Sequence, residues 1–184
     1  ALGFALLLLA LALFFVWSLM SGSVALRAGE VLSAVLSGGG SDLAADVIWK
    51  IRLPRLLAGM VLGGALALSG YLLQVFFHNP IAGPFVLGIS SGAKLMVALA
   101  LIFVLRQHRM ASAAFLILAA FAGAMLSMAF VLLMARRVRG MSMLVISGMM
   151  IGYICSAITD FVVTFASDAD IVNLHNWSMG SFSG

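Results

Sequence analysis

The charged side chains of this chain are bunched, and the intervals between the bunches are long enough to cross a bilayer. Residues 1–20 carry no charge at all, and at about 1.5 Å of rise per residue a helix of that length spans a hydrocarbon core of roughly 30 Å. Residues 56–77, 85–105, 111–134 and 143–165 repeat the pattern, with Lys94 and Asp160 the only charges inside them. Charged residues make up 9% of the sequence and hydrophobic ones 64%, whereas soluble domains average roughly a quarter charged residues. So much apolar surface has no core large enough to hide in, and lipid must solvate the outward faces. The expected fold is all-α, a polytopic transmembrane helical bundle of five spans forming a single permease-like domain over residues 1–184.

A formal charge of +4 and a pI near 10 would suggest nucleic acid in a soluble protein. Here the basic residues flank apolar runs, so they read as membrane anchors and no nucleic-acid partner is expected. The lone Cys155 lies in an apolar run, which excludes a disulfide framework and leaves packing as its role. Twelve methionines invite a soft-metal reading, but methionine is also a flexible apolar filler. His78, His108 and His175 are scattered. No metal site and no catalytic residue is expected.

The first apolar run has neither a preceding basic stretch nor a following A-x-A site, so it reads as a retained span rather than a signal peptide. The chain starts on alanine and stops in polar and glycine residues, which suggests a piece of a longer polypeptide with a sixth span beyond Gly184. Residues 21–50 carry Arg27, Glu30, Asp42, Asp46 and Lys50, with Gly38, Gly39 and Gly40 as a breaker, and belong outside the bilayer. Within 24–50, Val31, Leu32, Val35 and Leu36 fit a short amphipathic helix at the interface.

Arg52 and Arg55 stand at the start of the second span, and Pro54 sits where a helix can begin. His78, Asn79 and Pro80 end it, and the two prolines of NPIAGP (Asn79 to Pro84) force a turn. Three pairs of glycines with small-xxx-small spacing predict close helix contacts: Gly59 and Gly63, continued by Ala67 and Gly70; Gly88 and Gly92; Gly148 and Gly152. Arg106, His108 and Arg109 close the third span. The cluster of Arg136, Arg137 and Arg139 follows the fourth, with Gly140 as the break. Residues 167–184 read as a polar loop with Trp177 marking the interface.

Between Arg52 and Ala93 the sequence resembles the FecCD-type permease subunit of ABC importers, the class that takes up iron-siderophore, haem and cobalamin complexes. The motifs that carry it are RLPR (Arg52 to Arg55), GALALSG-x3-Q (Gly64 to Gln74), NPIAGP with LGISSGA after it (Leu87 to Ala93), and W-x-MG-x-F (Trp177 to Phe182), in the family's order and spacing. The resemblance implies a permease of about ten helices, of which this chain holds the amino-terminal half. It further implies a second permease copy (a homodimer or a paired heterodimer), two cytoplasmic ATP-binding subunits that hold ATP and Mg, and a periplasmic or lipid-anchored substrate-binding protein. The implied location is the bacterial or archaeal cytoplasmic (inner) membrane, and no cofactor is implied in this chain. Such a subunit transports and performs no enzymatic chemistry. Half of the permease is not expected to couple ATP hydrolysis to transport by itself. The family's topology puts the amino terminus inside, which leaves Arg27, Lys50, Arg52, Arg55, Arg106 and Arg109 outside, against the positive-inside rule.

Arg52 and Arg55, three apart, share a helix face and can grip carboxylates in planar, bidentate fashion. The resemblance assigns them to docking the binding protein, while position alone equally allows snorkelling at a span end. Asn79 and Ile81 match family positions that help close the pathway on the cytoplasmic side, although Asn79 could equally just terminate a helix. Met141 and Ser142 align with the second gate segment, with Met141 replacing the small polar residue usual there. Lys94 and Asp160 depart from the family's small or neutral residues, and each charge costs roughly 2.5 to 3.5 kcal/mol near mid-bilayer unless paired or wetted. Asp160 is expected to face a water-filled pathway. Lys94 is its partner, a second wall charge, or a shallow lysine reaching for the inner surface. The runner-up function is an ion-coupled secondary transporter using Lys94 and Asp160 as a relay; a third is a scaffold held together by its glycine faces.

Overall fold

The computed structural model describes residues 2–22, 24–38, 43–105, 112–138 and 140–181. Several expectations therefore lie outside the described residues: those on Gly39, Gly40, Asp42, Arg106, His108, Arg109, Arg139 and Phe182. The described elements are all helical: α1 (Leu2–Met20), α2 (Ala28–Leu36), α3 (Leu43–Asp46), α4 (Leu53–Phe77), α5 (Ile89–Leu105), α6 (Ala113–Ala135), α7 (Met141–Val163) and α8 (Asp168–Met179), with a π-helical segment, Val47–Arg52, between α3 and α4. Four stretches are long and apolar enough to cross a membrane: α1, the run Leu43–Phe77, α6 and α7. At 17 residues α5 is the short member of the set, covering about 25 Å.

The chain divides into two compact units, Ala1–Ala65 and Leu66–Ser181, with the boundary inside α4. Residues 61–68 are all exposed there.

In the first unit the second span does not begin at Pro54. Helix runs without a break from Leu43 to Phe77, and the π-helical turns directly before the proline explain how. Proline lacks the N–H that would bond to residue i−4, and its ring crowds that carbonyl. Widening the preceding turn removes the conflict, and Leu53 N–H bonds back to Ile48 O, five residues earlier. Leu19, Val31, Ala34, Ala45 and Ile48 form the small core of this unit, and Trp49 Nε1 donates to Ala34 O at 2.9 Å. Within residues 24–50 the helix is α2, with Val31 and Ala34 buried and Leu32, Val35 and Leu36 exposed.

In the second unit α5 packs against α6, α7 and α8, and α6 packs against α7. Ser112 caps α6, its Oγ accepting from Phe115 N–H at 3.2 Å. The expected polar loop after residue 166 is instead α8. Ser167 and Asp170 form a capping box in which Asp170 N–H donates to Ser167 Oγ and Ser167 N–H to the Asp170 carboxylate. Asp168 and Asp170 in the first turn also suit the positive end of the helix dipole, and Gly180, at φ 72°, ends it.

Candidate functional site

The turn after α4 brings the two expected gate segments to one end of the second unit. His78 adopts a left-handed φ of 48°, and Asn79 Oδ1 then accepts from Ile81 N–H at 3.1 Å, an Asx-turn that fixes NPIAGP locally. Asn79 is half-buried and Ile81 is exposed. Phe77 and Ala82, on either side of that turn, share one buried cluster with Leu87, Val131, Leu144 and Val145. Met141 and Ser142 stand in the first turn of α7, shortly before Leu144, and both are exposed. The turn that carries Asn79 and Ile81 and the helix start that carries Met141 and Ser142 thus meet through an apolar cluster built by their neighbours Phe77, Ala82, Leu144 and Val145. Arg136 and Arg137, exposed at the end of α6, belong to the same end.

Glycine sets how closely the helices above that turn approach. Gly88 has φ +72°, and a Cβ there would lie 2.7 Å from both Gly148 O and Gly152 N. At Gly92 a Cβ would lie 2.7 Å from Gly123 O and would run into Ser127 Oγ. The obstacles are backbone atoms that cannot swing aside, so these positions exclude any side chain. α5 is thereby pressed onto α7 through Gly88 and onto α6 through Gly92. Sequence reasoning named Gly88, Gly92, Gly148 and Gly152 but missed Gly123 and Ser127, which carry the same spacing. Gly59 and Gly63 differ, for nothing lies within 4 Å of where their Cβ atoms would be.

The two arginines of RLPR part company. Arg52 is 8% exposed, and its guanidinium donates to Leu19 O at 2.5 Å and to Val24 O. Leu19 lies in the last turn of α1, whose carbonyls lack partners within their own helix, so Arg52 acts as a cationic cap on α1. Gly22 makes room for it: a Cβ there would lie 2.8 Å from an Arg52 terminal nitrogen. Arg55 is exposed. Of the two arginines expected to share a gripping face, Arg52 is thus buried and hydrogen-bonded while Arg55 is exposed.

Lys94 and Asp160 are both exposed, on α5 and α7. Among the described residues the one ion pair is Asp46–Lys50, at 2.8 Å. A hollow of about 570 Å³ lined by Ile102, Phe165, Ser167, Asp170 and Asn173 opens near the start of α8. Its acidic residue is already engaged, with Ser167 Oγ donating to Asp170 at 2.8 Å.

A sequence model of the FecCD transport family matches residues 8–184. The chain belongs to the FecCD transport family. Among curated relatives, the vitamin B12 import system permease protein BtuC of Salmonella paratyphi A is 42% identical over 137 residues, covering 74% of this chain and 41% of the relative. BtuC of Serratia proteamaculans is 37% identical over 180 residues, covering 97% and 50%. A solved ABC transporter of the metal-chelate type, in an inward-facing conformation, superposes with a TM-score of 0.76 at 28% identity, covering 96% of this chain and 52% of that one. The chain spans about half the length of the curated relatives it matches. As a FecCD member it is a helical, multi-pass membrane protein, and the fold expected from charge spacing is the fold found.

Proposed function

We propose that this FecCD chain is the amino-terminal part of the permease subunit of a binding-protein-dependent ABC importer, carrying an iron-siderophore, haem or cobalamin-type metal chelate across the cytoplasmic membrane. The observation that carries the reading is that the turn bearing Asn79 and Ile81 and the start of α7 bearing Met141 and Ser142 meet through one apolar cluster at the basic end of the second unit. A turn fixed by an Asx bond and a helix start fixed by the same apolar cluster can close a path together. Vitamin B12 is the favoured cargo, because relatives from two organisms are named as its import permeases. ATP and Mg would be held by partner ATP-binding subunits, a second permease copy would complete the path, and a substrate-binding protein would deliver cargo from outside.

In this reading Arg55 offers the docking charge for acidic residues of the binding protein, and Arg52 positions the helix that carries it. Lys94 and Asp160 line the path. Affinity purification of the tagged full-length permease from membranes tests the assignment. Co-purification of an ATP-hydrolysing subunit is expected; a permease that transports vitamin B12 with no such partner would instead support ion-coupled transport.

A further inference from the structure

α5 and α7 run parallel along their seam. Leu87 and Gly88 meet Gly148 and Gly152, and Ser156 Oγ donates to Ser91 Oγ at 3.5 Å one step higher. Further along, Val97 and Leu101 share a cluster with Val163. Lys94 follows Ser91 by three residues and Asp160 follows Ser156 by four, so each charge stands one helical turn beyond its serine on the same face. The two are therefore at matching height on neighbouring helices. Gly92 faces α6, and Lys94, two residues on, is turned to the opposite side of α5, which puts it on the flank of the seam away from α6. Each charge alone in a bilayer interior is costly, and among the described residues neither is within ion-pairing distance of another charge. A lysine stem of four methylenes is long enough to lean toward a charge on a neighbouring helix.

We propose that Lys94 and Asp160 act as one unit, an ion pair across the α5–α7 seam. With Ser91 and Ser156 it gives the pathway wall a polar station of zero net charge, suited to a cargo rich in amide and hydroxyl groups rather than to a strongly anionic one. The cargo clause rests on the permease reading above; the pair itself does not. A wall carrying one unpaired charge would hold or repel ionised cargo, whereas a matched pair offers donors and acceptors without a net field.

The test uses the full-length permease with its partners. In a Cys155→Ala background, the double variant Lys94→Cys/Asp160→Cys should cross-link with a short bifunctional thiol reagent. Lys94→Met and Asp160→Asn should each lower vitamin B12 uptake, at equal membrane level, by about fivefold, and the exchange Lys94→Asp/Asp160→Lys should recover it to within about twofold, the signature of coupled sites. An exchange no better than the worse single variant, or single variants that transport normally, would overturn the proposal. Thermal midpoints in detergent of the unaltered protein, Lys94→Met, Asp160→Asn and Lys94→Met/Asp160→Asn give the coupling without any cargo. Should the unaltered permease fail to take up vitamin B12, those midpoints and the cross-link still decide the pair, and the failure counts against the cargo reading alone.

Discussion

Two glycine pairs with the same spacing meet opposite surroundings. Gly88, just before α5, and Gly92, within it, are buried against the backbones of α7 and α6; on α4, Gly59 and Gly63 have nothing within 4 Å of their missing Cβ atoms. The spacing states what a helix face permits, a close approach, and is silent on whether a neighbour has taken it up. The arginines teach the same lesson. Three residues apart in one motif, Arg52 is buried against the end of α1 while Arg55 is exposed. In each pair of features the local sequence is alike, and the difference arises from what the rest of the chain brings near.

The contrast is broken most forcefully at the packed glycines. Gly88→Val or Gly92→Val puts a branched side chain into backbone, and the expected cost is above about 4 kcal/mol. The full-length permease should then disappear from the monodisperse fraction in detergent size-exclusion chromatography. Arg52→Ala comes next. It strips two charge-assisted hydrogen bonds from the end of α1, with an expected loss of about 3 kcal/mol, read as a lowered thermal midpoint; Arg52→Lys should recover only part, because one ammonium cannot reproduce the fork. Arg55→Glu should leave that midpoint unchanged and weaken association with the binding protein by roughly tenfold at low ionic strength and less in high salt. The smallest effect belongs to Gly59→Ala and Gly63→Ala. Helix propensity alone favours alanine by up to about 1 kcal/mol each, so the midpoint should hold or rise. A fall of several degrees in the full-length protein would show that another helix occupies this face.

Much of the fold was legible because a bilayer demands length and apolarity, and both are written directly in residues 1–20, 56–77, 111–134 and 143–165. The turn at Asn79 to Pro84 was legible for a similar reason, since two prolines and an asparagine leave the backbone few choices. Other features were obscured by competing rules. Pro54 reads as a helix start, yet the π-helical turns before it let the helix continue, and nothing in the residues 47–52 announces that widening. α8 carries little apolar surface, so its hydropathy hid it, although Ser167 and Asp170 at capping-box spacing were there to be read. Gly123 and Ser127 went unnoticed in a helix of alanine, leucine and methionine with no polar face to orient it. The inward turn of Arg52 depends on Gly22, thirty positions earlier, a relation that spacing within one motif cannot express.

The central claim is that these helices form half of a path powered by a partner's nucleotide. It is tested most directly by reconstituting the full-length permease with its ATP-binding subunits and binding protein in proteoliposomes and measuring vitamin B12 accumulation under two drives. The account predicts accumulation that requires ATP and persists when the proton gradient is collapsed. Accumulation driven by an imposed pH gradient with no ATP present would contradict it.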